Sequence, residues 1–235
     1  MARACAKAAL LLGLLAVAAP AVQAAPADRS AGPSDAIARS PRQMPNFFGS
    51  VALKLVKTPL DGKWAMARNS RLDVRGPELT GLVARLKAMD RRARLTTVNA
   101  WVNGRINYVD DQSAYQRADV WADAGTTLAA GRGDCEDIAI LKMQLLIAAG
   151  FDPAEIYLSI VRDRSLRSDH ALLVVVDEGA ALVMDNMTDR LFDANLTSLF
   201  EPVFTFGVGG PWIHGYELGR SLAGRVAARS SPGSP

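Results

Sequence analysis

The string Gly131-Arg132-Gly133-Asp134-Cys135-Glu136-Asp137 holds the side chain best suited to covalent chemistry in this chain. Two glycines allow a tight backbone turn, and the residues that follow Cys135 read as a helix. The thiol then opens a helix, where the macrodipole and the free backbone N–H groups favour the reactive thiolate. Those N–H groups are also candidates to hold an oxyanion. His170 and Asp185 could complete a nucleophile, base and orienting carboxylate. Each residue has a plainer explanation: a core cysteine, a satisfied strand-end histidine, and turn chemistry at Asp185-Asn186. The conjunction of a helix-start cysteine, a strand histidine and an aspartate in register with it favours catalysis.

The register follows from the hydrophobic pattern. Ala171 to Val176 and Ala181 to Met184 are apolar runs, and Gly179 lies between them, so they read as a hairpin. A turn centred between Asp177 and Glu178 pairs residues 170 and 185 directly. A turn centred between Glu178 and Gly179 makes them diagonal neighbours on one face. Both arrangements allow an imidazole–carboxylate contact. His214, the other histidine, sits in Pro211-Trp212-Ile213-His214-Gly215. That context reads as a loop, which favours a structural or surface role and leaves it a rival base.

Three acids flank the thiol. Asp134 can cap the helix and Asp137 can serve as the third-position acid of a capping-box-like pair, which leaves Glu136 without a task. Carboxylates beside a thiolate also raise its pKa, and a bound cation would relieve that effect. Oxygen-rich ligands suit calcium. Capping alone and a calcium site both remain open at this level.

These side chains need elements to hold them. Leu79, Leu82, Val83, Leu86 and Met89 follow helical spacing. Val98, Trp101, Val102 and Ile106 mark a second helix over about 95–107. The third runs from Asp134 or Cys135 to Ala149, with Ile138, Leu141 and Leu145 in its buried stripe and Gly150 ending it. Ile156 to Val161 begins the strands. Helices followed by strands predict an α+β class rather than an alternating parallel α/β fold.

The outer segments read differently. Arg3 and Lys7 precede an apolar run from Ala8 to Ala19, too short to span a bilayer, and Val22-Gln23-Ala24 suits signal peptidase. Residues 1–24 are therefore read as a signal peptide, so the protein is expected to be exported, with no membrane insertion after cleavage. Residues 25–45 read as a linker, 46–220 as the domain and 221–235 as a disordered tail. Cleavage removes Cys5 and leaves Cys135 as the lone thiol, with no internal disulfide to make. The formal net charge is +3, and losing Arg3 and Lys7 leaves +1, which argues against nucleic acid as a partner.

Gly133-Asp134-Cys135-Glu136-Asp137 with Ile138-Ala139-Ile140-Leu141-Lys142 resembles the bacterial transglutaminase-like cysteine proteinases, the LapG-type periplasmic proteases. Val98-Asn99, Asn103, Trp121, His170-Ala171-Leu172-Leu173 and Val183-Met184-Asp185-Asn186 extend the likeness across about residues 45–213. Ala171 departs from the larger apolar residue often found after that histidine, a difference that bears on the pocket. The resemblance implies a papain/transglutaminase-like fold and a triad of Cys135, His170 and Asp185. It also implies a calcium (Ca2+) site at Asp134, Glu136 and Asp137. It further implies a periplasmic endopeptidase that cuts the N-terminal region of a large surface adhesin and releases biofilm. Its implied partner is an inner-membrane cyclic di-GMP receptor that sequesters the protease. A transglutaminase-like amide acyl transferase shares the machinery, and a non-catalytic calcium-dependent binding module is the alternative from another class.

Overall fold

Apolar residues dominate Ile156 to Val161 and Ala171 to Val176, and they build the two central strands of a large sheet. The computed structural model describes residues 44–117 and 119–216. The signal segment, Cys5, the linker before residue 44 and the 221–235 tail lie outside the described residues.

In chain order the elements are β1 (Val51–Lys54), α1 (Asp61–Asn69), α2 (Pro77–Ala88), α3 (Arg91–Arg105), β2 (Asn107–Tyr108) and α4 (Asp111–Tyr115). Then follow α5 (Ala124–Ala130), β3 (Arg132–Gly133), α6 (Cys135–Ala148), β4 (Ile156–Asp163) and β5 (Ser168–Asp177). The chain closes with β6 (Ala180–Met184), β7 (Phe192–Asp193), β8 (Phe200–Gly207) and β9 (Gly210–Gly215). Seven strands form one antiparallel sheet in the order β1-β9-β8-β4-β5-β6-β7. The α+β class expected from the sequence is what the chain adopts.

One face of the sheet buries Ala171, Leu173 and Val175 against the helices, chiefly α6, on which α3 and α5 pack in turn. The other buries Leu172, Val174 and Val183 with Phe48, Tyr157, Phe200 and Trp212. The alternation of β5 between two apolar faces explains its unbroken hydrophobic run. The helix expected from about residue 95 starts earlier, at Arg91. The Asp90 side chain caps it by accepting from the Ala93 amide at 2.8 Å. The helix after Cys135 differs from the single buried stripe expected of it. Every residue of α6 from Cys135 to Leu146 is buried, because α3 and α5 flank it while β5 lies beneath.

Two local devices matter for the site. The small parallel pair β2–β3 holds the glycine segment, with Asn107 N donating to Gly131 O at 2.9 Å and Val109 N to Gly133 O at 3.0 Å. The β5–β6 hairpin pairs Asp177 with Ala180, so the turn is centred between Glu178 and Gly179. Glu178 (φ 48°) and Gly179 (φ 85°) both take left-handed conformations, as a two-residue hairpin matched to sheet twist requires.

Candidate active site

Cys135 is the first residue of α6. Asp134 precedes it as the N-cap, its Oδ1 accepting from Glu136 N (3.1 Å) and Asp137 N (3.3 Å). Ile138 N donates to the Asp134 carbonyl at 3.1 Å. These three amides are therefore committed to Asp134. Gly131 closes α5 in the left-handed conformation at φ 61°. Gly133 is required for closeness: a Cβ there would stand 2.7 Å from Asp137 Cβ. Glu136, which capping leaves idle, is buried and places Oε2 2.9 Å from Cys135 Sγ.

His170 and Asp185 meet as diagonal neighbours of the hairpin, His170 Nε2 lying 2.9 Å from Asp185 Oδ1. They are 3% and 4% exposed, so water competes little for the contact. Met187 N donates to the same Oδ1 at 3.0 Å. Burial pushes the Asp185 carboxyl up, but the hydrogen bond and charge of His170, the Met187 amide and the charge of Lys142 together hold it below the usual range. His170 Nδ1 is buried and makes no hydrogen bond among the described residues. The imidazole ring lies 6.2 Å from that of Phe200.

The six residues singled out by sequence thus fall into two groups. His170 and Asp185 form one. Cys135, Asp134, Glu136 and Asp137 form the other, on the opening turn of α6 and its cap. Within it, Asp134 belongs to two clusters whose ligand atoms lie within 4.8 Å of one another: Asp134–Cys135–Glu136 and Asp111–Asp134–Asp137. Asp111, at the start of α4, shows in the sequence only as part of a polar stretch. It is 2% exposed and accepts from Val120 N at 2.6 Å, as Asp137 accepts from Ala122 N at 2.7 Å. The donor set suits a hard cation. Burial, with the charges of Asp111 and Glu136, pushes the Asp137 carboxyl up to about 7 against the opposing Ala122 amide. Asp137 Oδ2 is buried without a hydrogen bond. Closely packed buried carboxylates with a bare oxygen fit a bound calcium better than they fit capping alone.

His214 is not in a loop but on β9, four residues of which pair with β1. Its Nδ1 lies 2.7 Å from Ser50 Oγ and its Nε2 2.7 Å from Thr205 Oγ1, so both ring nitrogens are engaged. Burial pushes its pKa down to about 4, which keeps it neutral and suits the structural role.

Asn99 and Asn103, four apart on α3, reach the turn after β6. Asn99 Nδ2 donates to Thr188 O at 2.8 Å. Asn103 Nδ2 donates to Asp185 O at 3.0 Å, Thr188 O at 3.1 Å and Asp189 Oδ1 at 2.9 Å. The backbone carrying Asp185 is thereby tied to a helix.

Helices packed on a large antiparallel sheet, with a cysteine opening the enclosed helix, define an α+β chain of the papain and transglutaminase type. The model of the family described as bacterial transglutaminase-like cysteine proteinase matches residues 80–199, and the chain belongs to that family. Three solved structures of LapG from Legionella pneumophila share the fold. The calcium-bound form has a TM-score of 0.53 at 24% identity, covering 74% of this chain and 100% of that one. An EGTA-treated form gives 0.52 at 25% identity over 72% and 90%, and a further LapG structure 0.52 at 22% over 74% and 94%. No curated protein matches the chain. Among the described residues no helix is long and apolar enough to cross a membrane.

Proposed function

We propose that the protein is a periplasmic, calcium-dependent cysteine endopeptidase that uses Cys135 as nucleophile, His170 as base and Asp185 to orient the base. The observation that carries this reading is the buried His170–Asp185 pair, in which Nε2 is committed and Nδ1 has no hydrogen bond. With Asp185 accepting from Nε2–H, the imidazole presents a bare Nδ1 that can take the thiol proton. Cys135 Sγ then attacks the peptide carbonyl carbon. The proton passes from Nδ1 to the leaving amine, which departs and leaves a thioester on Cys135. Water, deprotonated by His170, hydrolyses the thioester and restores the thiol. Asp134, Glu136 and Asp137, joined by Asp111, would hold calcium. The ion would neutralise the acids that flank the nucleophile.

The substrate in this reading is the N-terminal region of a large surface adhesin, whose cleavage would release biofilm. An inner-membrane cyclic di-GMP receptor would sequester the protease. Both rest on the family. The test is capture of the intermediate: an adhesin N-terminal fragment, mixed with the enzyme and quenched in acid within milliseconds, is read by intact mass. An added acyl mass mapped to Cys135, lost with time to water, supports an endopeptidase. Loss of the acyl group only to an added amine would identify an acyl transferase, and no acyl mass would favour a binding module.

Asp185→Asn keeps the shape of the pair but cannot stabilise the imidazolium. Cleavage is expected to fall by about 10²–10⁴-fold, while Asn186→Ala changes it only slightly. Steady-state rates on the same fragment check this, and the reverse pattern would move the orienting role to Asn186.

A further inference from the structure

Lys142 lies on α6 two turns beyond Cys135, close to the same helical phase. Its side chain is 0% exposed, and its Nζ makes no hydrogen bond among the described residues. A lysine in that state is costly, and a leucine or methionine would pack an enclosed helix better. The charges that act on it are those of Asp185 and Asp189, both in the segment that follows β6. Burial pushes the Lys142 ammonium down to about 7, with those two carboxylates opposing the effect.

The surroundings of Asp185 explain what a buried cation does there. The titratable groups near it are His170 from β5, Lys142 from α6 and Asp189 from its own turn, while α3 contributes the neutral Asn103. Besides His170, Lys142 is the one cation among the described residues whose charge acts on the buried Asp185 carboxylate. Asn103 fixes the backbone of that turn, and Lys142 answers its charge.

We propose that Lys142 is a positioning residue of the active site, its buried ammonium group helping to hold the Asp185 carboxylate ionised beside His170. This rests on the triad proposed above. Removing a cation raises the pKa of every acid it faces, so Lys142→Met should move the acid limb of the kcat/KM profile to higher pH. The expected results are an upward shift of about half a pH unit, kcat about tenfold lower, and KM unchanged. Methionine approximates the length of the lysine stem, and circular dichroism checks the fold. A wild-type acid limb would overturn the proposal even if kcat fell, since lost packing alone lowers a rate without moving a pKa.

A second measurement does not depend on that variant folding. Coupling between two charges is reciprocal. In protein carrying 13C-labelled lysine, Asp185→Asn should move the NMR titration of Lys142 to lower pH by about half a pH unit. An unmoved titration overturns the proposal. Failure of the triad itself is distinguishable, because it shows as cleavage by Cys135→Ala. An inactive Cys135→Ala with an unshifted Lys142→Met profile rejects only the role of Lys142.

Discussion

Cys135→Ala and His170→Ala each reduce cleavage of an adhesin N-terminal fragment by about 10⁵–10⁶-fold, and the double substitution is no worse than either alone. The size follows from covalent catalysis. Without the sulfur there is no thioester, and without Nδ1 nothing takes the thiol proton or delivers one to the leaving amine. Residues that act as one unit lose their effect together, so the losses do not add. The fold should survive both changes. The cap on α6 is made by Asp134 and not by Cys135, and its hydrogen bonds to the Glu136 and Asp137 amides remain in Cys135→Ala. His170→Ala removes a buried ring beside Phe200 and leaves Asp185 with the Met187 amide, so a lower melting temperature is expected in a still-folded domain. Gel-based cleavage with circular dichroism separates the two effects. Robust cleavage by folded Cys135→Ala protein would end the protease assignment.

Much of this arrangement is legible in the sequence, for identifiable physical reasons. The helix around Leu79–Leu86 and the strands from Ile156 to Met184 carry their periodicity in apolar residues, which burial demands. The hydrophobic pattern narrows the hairpin register to two choices. Glu178 decides between them, as a non-glycine residue in the left-handed region that composition gives no reason to place there. The segment 211–215 does not read as a strand because Pro211 opens it, yet β9 pairs with both β1 and β8. Proline suggests a loop to a local reading, and the loop expected around His214 follows from that.

The site shows the same division. Cys135, Asp134, Glu136 and Asp137 are neighbours in sequence, and the hairpin brings His170 to Asp185. Asp111 joins Asp134 and Asp137 only through the path of α4 and α5, which no spacing rule encodes. Lys142 misleads in the opposite sense. A lysine on a helix ordinarily marks a solvated face, but α6 is enclosed on every side, so its charge is buried. Local chemistry is readable from order along the chain. Chemistry assembled by packing is not.

Removal of calcium should abolish cleavage, and its return should restore it. The reason is the density of buried acid beside the nucleophile: Asp111, Asp134 and Asp137 in one cluster, and Glu136 2.9 Å from the Cys135 sulfur. Without a cation these carboxylates repel one another and disfavour the thiolate, and burial already pushes Asp137 up to about 7. A bound Ca2+ would offset both effects and hold the loop that delivers Cys135. A chelator selective for calcium over magnesium is therefore expected to stop the reaction. At a calcium concentration one hundred times Kd, binding adds about 2.7 kcal/mol to stability and raises Tm by about 5–10 °C for a domain of this size. Substitution can separate the ion from the cap. Asp134→Asn keeps an acceptor for the Glu136 and Asp137 amides, since asparagine caps helices as well as aspartate does. It should weaken calcium binding while leaving the calcium-free melting temperature nearly unchanged. Asp111→Asn should weaken binding too, although it lies on a different helix from the cap, and Glu136→Gln should do so without touching the cap hydrogen bonds. Isothermal titration calorimetry on the stripped protein, paired with the cleavage assay, decides the matter. Absence of binding heat together with full activity in chelator would reduce Asp134 and Asp137 to helix capping and leave Asp111 a purely structural acid.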